Sequence, residues 1–351
     1  MKLNLTRRTP ARLVGTALAA LAMGVATLAV TGPAQGLNTA RTGPADAANG
    51  GFPAHYTDDF GISLEPCIDG TARCGGATAT DDGAGGPGMA VAGDGEGFYW
   101  SATANVRSPR GNLLVIFAHE AAWADPVTPI VFDRTRIRGD LRPGKYTLLT
   151  PYGQMKFSAV GLGARNVNET QDLGCAQAPG ATATCSAKMT NWLHAVGAPV
   201  GYLGNSASFT EVRGGTFRNN LVLLDGKGQK LGSSARFQVV GKIAANEPAA
   251  MLSTGAVMFG HTAKVVKRTV MLKNQGTAPL SLQGISVAGA KTFTVSPTGC
   301  AARTSLASGA NCPINITYRP GLRRPTSARL LINDDTIAGI HRVPLKALAP
   351  R

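Results

Sequence analysis

Five histidines, six cysteines and three clusters of carboxylates are the residues best equipped for chemistry. His119-Glu120 opens the run His-Glu-Ala-Ala-Trp, but a zinc-protease helix needs a second histidine four residues after the first, and the run lacks it. The other histidines, His55, His194, His261 and His341, are far apart in sequence. His119 therefore reads as a polar residue on a partly exposed strand face. Asp58-Asp59, Asp81-Asp82 and Asp94-Gly95-Glu96 invite glycoside hydrolysis or calcium binding. The first needs two carboxylates about 5–10 Å apart, one with a raised pKa. The second, in an EF-hand, needs a D-x-[DN]-x-[DN]-G spacing that is not met. These acids read as turn-forming, solubilising residues. No G-x-S-x-G, phosphate-binding loop or dinucleotide fingerprint occurs. Arg138-Gly139-Asp140 spells an adhesion tripeptide but is expected to be a plain strand end at a turn. The sequence thus nominates no catalytic residue, no cofactor and no metal ligand.

The cysteines carry a different chemistry. They fall as three close pairs, Cys67 with Cys74, Cys175 with Cys185 and Cys300 with Cys312. Zinc ligands at C-x2-C spacing are absent, and an even number of locally paired cysteines reads as structural disulfides. Each closes a short loop, worth about 2.5 to 3 kcal/mol in the chain-entropy account. The N-terminus agrees with an oxidising destination. Lys2, Arg7, Arg8 and Arg12 precede an apolar run from Leu13 to Val30, and the small residues around Gly32-Pro33-Ala34 offer a cleavage point. Residues 1–34 read as a signal peptide, and no later segment is apolar enough to span a bilayer. The expected location is secreted, extracellular or cell envelope.

The elements around these residues are expected to be strands. Gly 44 and Pro 21 are high for 351 residues, and charged residues make up only 16%. That mixture suits short strands joined by tight turns rather than helices at 3.6-residue spacing. Residues 35–50 are small and polar and read as a disordered spacer. Residues 51–243 read as a β-rich domain of unknown role. Its strand-like runs begin at Phe98, Leu113, Pro129 and Lys145, and one short helix is expected over Ala187–Val196. In the third run Phe132, Arg134, Arg136 and Arg138 share one face, while Val131, Asp133, Thr135 and Ile137 share the other. Ala244 to Pro248 reads as a linker. From 249 to 351, seven short strands in about 100 residues describe an immunoglobulin-like sandwich. The fold class is all-β, with two sandwich-like domains after a cleaved leader.

Charge divides the chain unevenly. Between Glu247 and Arg351, thirteen Lys and Arg stand against three acids, giving +10, whereas residues 35–246 carry only +1. Lys264, Lys267, Arg268, Arg323, Arg324 and Arg329 are candidates for a basic face that contacts an anionic envelope polymer or polysaccharide through salt-sensitive attraction. Aromatic residues do not interleave with these cations, so no nucleic-acid motif is recognised.

One resemblance adds to this. Phe259-Gly260, the run Val270–Gly289, Phe293, Cys300, Leu306–Pro320, Ala328–Asp335 and Val343–Ala349 follow one another as in the bacterial choice-of-anchor D module. That module is a relative of the ASPM/SPD-2/Hydin immunoglobulin-like domains. The resemblance covers residues 251–348, with a departure at Arg323-Arg324-Pro325. It implies a seven-stranded sandwich in an exported or surface protein and brings no catalytic residues. The stretch from Gly51 to Cys67 is similar to the start of uncharacterised secreted bacterial proteins. Together these observations predict a non-catalytic binding or structural protein of the cell exterior. The alternative is a secreted glycan-active hydrolase with its site in the N-terminal domain.

Overall fold

The computed structural model describes residues 42–46, 50–75, 97–125, 128–176, 189, 191–296, 298–320 and 326–348. Its first strands are β1 (Tyr56–Thr57), β2 (Ser63–Glu65) and three long ones, β3 (Gly97–Ser108), β4 (Gly111–Asp125) and β5 (Thr128–Leu141). Then come β6 (Gly144–Thr150), β7 (Gly153–Ala159), β8 (Val167–Ala176), β9 (His194–Ala195) and β10 (Thr210–Arg213). β11 (Leu221–Asp225), β12 (Lys230–Ser234) and β13 (Arg236–Ile243) follow. The C-terminal third holds β14 (Ala250–Leu252), β15 (Val257–His261), β16 (Val266–Asn274), β17 (Leu280–Gly289) and β18 (Phe293–Val295). It ends with β19 (Ser305–Leu306), β20 (Asn311–Tyr318), β21 (Thr326–Asp334) and β22 (Ile340–Leu348). Among the described residues the only helical turns are two 3-10 turns, Ala72–Cys74 and Gly299–Ala302, and the fold is all-β.

The long strands form because apolar and polar residues alternate along them. Trp100, Ala102, Ala104 and Val106 of β3 face Leu113, Val115 and Phe117 of β4, all fully buried. Their hairpin turns at Ser108–Gly111, where the Ser108 hydroxyl accepts the Arg110 N–H at 3.1 Å and donates to the Gly111 carbonyl at 2.8 Å. Only glycine fits at 111. Its φ is +123°, and a Cβ there would lie 1.7 Å from the Asp140 carbonyl oxygen. A nine-stranded sheet runs β1-β2-β13-β3-β4-β5-β8, with β10 joined to β13 and β9 to β10. Its inner face shares a core with the four-stranded sheet β12-β11-β6-β7, whose Tyr146, Leu148, Leu221 and Leu223 are buried there.

The C-terminal third has its own core between the sheets β14-β16-β20-β18 and β15-β22-β21-β17-β19. Strand β22 shows why this region reads so clearly. Every second residue, His341, Val343, Leu345 and Ala347, is buried and the rest are exposed. Val270, Leu272, Ile314 and Ile316 meet Leu330, Ile332, Val343 and Leu345 across the sandwich. Each such side chain contributes about 1.5–3 kcal/mol on burial. Phe259, Phe293 and Tyr318 close one side, with ring centroids 4.9–5.6 Å apart.

Several local expectations are corrected. The helix over Ala187–Val196 does not form within the described residues. His194–Ala195 is strand there, and the Trp192 N–H is bonded to Asp58 instead of to a preceding turn. Part of the expected spacer is paired, with Thr42 bridging Tyr56 and Ala45 bridging Pro53. The 244–248 linker is pinned, since the Ala244 N–H bonds the Ser63 carbonyl and the Ala245 N–H bonds the Glu65 carboxylate. Arg138-Gly139-Asp140, by contrast, forms the end of β5 next to the turn into β6, as expected. Cys67–Cys74 and Cys300–Cys312 are disulfide-bonded, with Cα atoms 5.1 and 5.2 Å apart. Cys175 lies near the end of β8, and Cys185, its expected partner, lies outside the described residues. Disulfides of this kind belong to chains that fold in an oxidising, non-cytoplasmic compartment. Among the described residues no helix is long and apolar enough to cross a membrane.

Candidate functional site

The two cores meet at a seam held by a few buried polar residues. Gln275, in the turn after β16, is almost fully buried. Its side-chain amide donates to the carbonyls of Ala198 (3.0 Å), Pro199 and Tyr202 (3.1 Å) in the loop after β9. Its backbone N–H bonds the Ala249 carbonyl at 2.8 Å, and its carbonyl accepts the Gly201 N–H at 2.9 Å. Beside it Asn274 is wholly buried and uses both ends of its amide. The oxygen accepts the N–H groups of Ala249 and Gly276, and the nitrogen donates to the carbonyls of Ala278 and Leu306. A second contact lies at Gly61, whose φ is +79° and whose added Cβ would sit 2.6 Å from the Ala338 backbone nitrogen. A Gly61→Val substitution is therefore expected to lower the melting temperature. The left-handed conformation alone costs about 1–3 kcal/mol for a non-glycine residue, and the clash adds to it.

Two adjoining cavities of about 100 and 260 Å³ lie along this seam. Both are lined by His194 (β9), Arg213 (β10), Met251 and Leu252 (β14). The smaller adds Phe60, Ile62 and Arg342, and the larger adds Lys273, Gln275 and Asn311. Arg213, Lys273 and Arg342 are thus three cations on linings that include no aspartate or glutamate. The Arg213 guanidinium is held by a 2.9 Å bond to its neighbour's carbonyl, and its nearest carboxylate, the mostly exposed Glu211, is 3.8 Å away. Lys273 reaches only the Ala198 carbonyl, at 3.5 Å. Together the cavities approach the lower limit of ordinary small-ligand sites, and their floor of Met251 and Leu252 is apolar. Such a lining attracts a negatively charged group and offers an apolar surface beside it.

His194 is the one histidine in both linings. Burial pushes it down to about 4, against the raising effect of the Trp192 carbonyl and with the help of the nearby Arg213 charge. At pH 7 it is neutral and offers a hydrogen bond rather than charge. One wall of the smaller cavity is built on Asp58. Its carboxylate accepts N–H bonds from Phe60 (2.9 Å), Ile62 (2.9 Å) and Trp192 (3.1 Å), tying the β1–β2 turn to the segment that leads into His194. Burial pushes Asp58 up to about 7, against the lowering effect of those three N–H groups.

These two shifts have opposite consequences for stability. His194 is depressed in the fold, so its contribution is present above pH 6.5 and lost as pH falls towards 4. Asp58 is raised, so its contribution is present below pH 3.8 and lost as pH rises towards 7. Between about pH 4 and 6.5 the two slopes oppose one another. A His194→Gln variant removes one of them. Its unfolding free energy is expected to fall with rising pH, relative to the parent, by up to about 1.4 kcal/mol per unit in that window. Urea titrations at half-unit pH steps measure this, and parallel curves for the two proteins contradict it.

The residues singled out from the sequence fall elsewhere. His119 is not on an exposed face. It is buried, its Nδ1 lies 2.7 Å from Asp133 Oδ1, and the rings of Tyr56, Tyr99 and Trp192 surround it at 4.4–5.6 Å. Its Nε2 has no hydrogen-bond partner among the described residues. Asp58 is likewise a buried anchor and not a solubilising turn residue. Among the described residues no group of three or more metal-ligating side chains is gathered. The Asp81-Asp82 and Asp94-Gly95-Glu96 clusters lie outside the described residues.

Four of the six basic candidates lie among the described residues. Lys264, Lys267 and Arg268 are exposed on and just before β16, and Arg329 is exposed on β21 of the opposite sheet, facing the other side of the sandwich. Arg323 and Arg324 lie outside the described residues. Of the C-terminal cations, Lys273 and Arg342 reach the seam. The sequence gives no sign of this, because their partners in the lining are residues of the N-terminal region.

No family model matches the chain, and no curated protein matches it. Among solved structures it is similar to a protein of unknown function from Porphyromonas gingivalis W83, at 14% identity and a TM-score of 0.26, over 62% of this chain and 91% of that one. It is also similar to SSP-19, an MSP-domain protein from Caenorhabditis elegans, at 16% identity and 0.24, over 28% and 99%. The secreted serine protease VesC from Vibrio cholerae matches at 10% identity and 0.29, over 72% and 69%. At these scores the likenesses carry no argument about activity.

Proposed function

We propose that this chain is a non-catalytic binding protein of the cell exterior that holds an anionic polymer segment in the groove between its two cores. The observation behind this reading is the seam lining, which holds Arg213, Lys273 and Arg342 beside an apolar floor, its nearest acid being the mostly exposed Glu211 at 3.8 Å from Arg213. A carboxylate- or phosphate-bearing saccharide fits that chemistry. Its charged groups meet the cations, and its ring faces lie over Met251 and Leu252. The two disulfides support the exterior setting. The groove draws residues from both parts of the chain, so the immunoglobulin-like region acts as half of the binding site and not as a spacer.

The test is retention of the leader-free protein on immobilised acidic polysaccharide and on purified cell walls, at low and high salt. Arg213→Ser and Lys273→Ser are each expected to weaken retention about tenfold, the scale of one charged hydrogen bond. Lys267→Ser and Arg329→Ser, which lie outside the groove, are expected to leave it nearly unchanged. Equal losses from both pairs of variants would point to diffuse surface charge and overturn the groove as the site.

A further inference from the structure

The N-terminal region has a second feature that its near-neutral charge hides. Three turns converge at one end of its two sheets. The β3–β4 hairpin meets the β5–β6 connection through the Arg142 N–H and the Arg110 carbonyl, 2.8 Å apart. The loop from Val160 to Asn166, between β7 and β8, joins them. Asn166 clamps it by accepting the Leu141 N–H at 3.0 Å and donating to the carbonyls of Leu141 (2.5 Å) and Gly161 (3.0 Å). The Arg165 N–H is held by Asp140 at 2.6 Å. Arg110, Arg138, Arg142, Lys145 and Arg165 all belong to this end, and none of them makes an ion pair among the described residues. The neighbouring acids Asp140 and Asp225 accept backbone N–H groups, and Asp225 also feels the charge of Arg110.

The loop projects from this basic end. Gly161, Gly163 and Arg165 adopt φ of +73°, +129° and +59°, and between them Val160 and Leu162 are 79% and 84% exposed. No neighbouring side chain covers them. A scattered exposed aliphatic needs no explanation, but two on one clamped tip, with five cations outnumbering the acids behind them, is the pattern of an interfacial anchor. Aliphatic side chains enter the headgroup boundary while the cations remain with anionic headgroups.

We infer that this end docks on the surface of an anionic lipid bilayer, with Val160 and Leu162 inserted and Arg110, Arg138, Arg142, Lys145 and Arg165 at the headgroups. The contact lies on the N-terminal region, away from the residues lining the seam, so its success or failure does not bear on the groove. The full leader-free chain is spun with vesicles of phosphatidylcholine alone and with vesicles containing phosphatidylglycerol. At least tenfold more protein is expected to pellet with the anionic vesicles, and the excess is expected to fall with salt. A Val160→Asp/Leu162→Asp variant keeps its melting temperature, since both sites are exposed, but loses vesicle binding about tenfold. Its retention on soluble dextran sulfate stays unchanged. In a Leu162→Trp variant the emission shifts to the blue on anionic vesicles. Equal pelleting with both vesicle types, no pelleting, or pelleting that survives the double substitution would each overturn the inference. The last of these would mean that the cations adsorb any polyanion without insertion.

Discussion

Replacing Asp58 by alanine is expected to destabilise the protein by about 3–5 kcal/mol, the largest effect of any single substitution considered for this chain. The carboxylate is almost wholly buried and accepts three backbone N–H groups, from Phe60, Ile62 and Trp192. Alanine leaves those donors without a partner, and each buried unsatisfied donor costs about 1–3 kcal/mol. Phe60 and Ile62 lie on one side of the smaller cavity, and Trp192 leads into His194 on the other. Trp192 itself is anchored by its ring N–H to the Ile62 carbonyl at 3.2 Å. Loss of Asp58 therefore loosens two walls of the groove at once. Asp58→Asn separates the two effects. Its side-chain oxygen retains the Phe60 and Ile62 bonds, but its NH2 would face the Trp192 N–H, donor against donor. Urea denaturation is expected to rank the proteins parent, Asn, Ala in falling stability. Alanine within 1 kcal/mol of the parent would show that these bonds are dispensable.

Gln275→Leu is the second. The apolar replacement has a similar volume, so little cavity is created. Its cost is the loss of the buried amide that donates to the carbonyls of Ala198, Pro199 and Tyr202, about 2–4 kcal/mol. The effect is local as well as global. Those carbonyls belong to the loop that meets Gln275 and Thr277 across the seam. Amides of residues 198–203 are expected to exchange faster with solvent than in the parent. Interior amides of the C-terminal sandwich, such as those of β20, are expected to keep their protection. Retention on acidic polysaccharide should fall in the same variant, because Lys273 and Arg213 would no longer be held at a fixed separation. A fully additive loss of protection throughout the chain would mean that Gln275 contributes to general stability and does not lock the seam.

These two positions also show what the sequence discloses and what it hides. The C-terminal sandwich is legible because its information is local. In β22 each side chain faces away from the next, and burial follows with period two. The turns at Asn274–Thr277 and Ser308–Asn311 fall where the residues announce them. The seam is illegible because its information is not local. Asp58 and Trp192 are separated by 134 residues, and Gln275 and Ala198 by 77. No periodicity records such a bond. The same distance effect defeats the helix expected over Ala187–Val196, where long-range bonds of Trp192 outweigh local propensity. His119 was misplaced for a related reason. A histidine among alternating strand residues reads as polar and outward, and only Asp133 on the next strand allows it to sit inside. Net charge misleads as well. A total of +1 over residues 35–246 conceals five cations gathered at one end of that region, while among the described residues Lys267 and Arg329 stand on opposite sheets of the C-terminal sandwich.

The central claim is that an anionic ligand occupies the seam. Hydrogen-exchange mass spectrometry of residues 35–351, with and without a short acidic oligosaccharide, tests it most directly. Protection is predicted to rise in residues 194–198, 211–215, 250–255 and 271–275, which line both sides of the groove. Protection confined to β16 and β21 surfaces away from the seam, or no change at saturating ligand, would contradict the account.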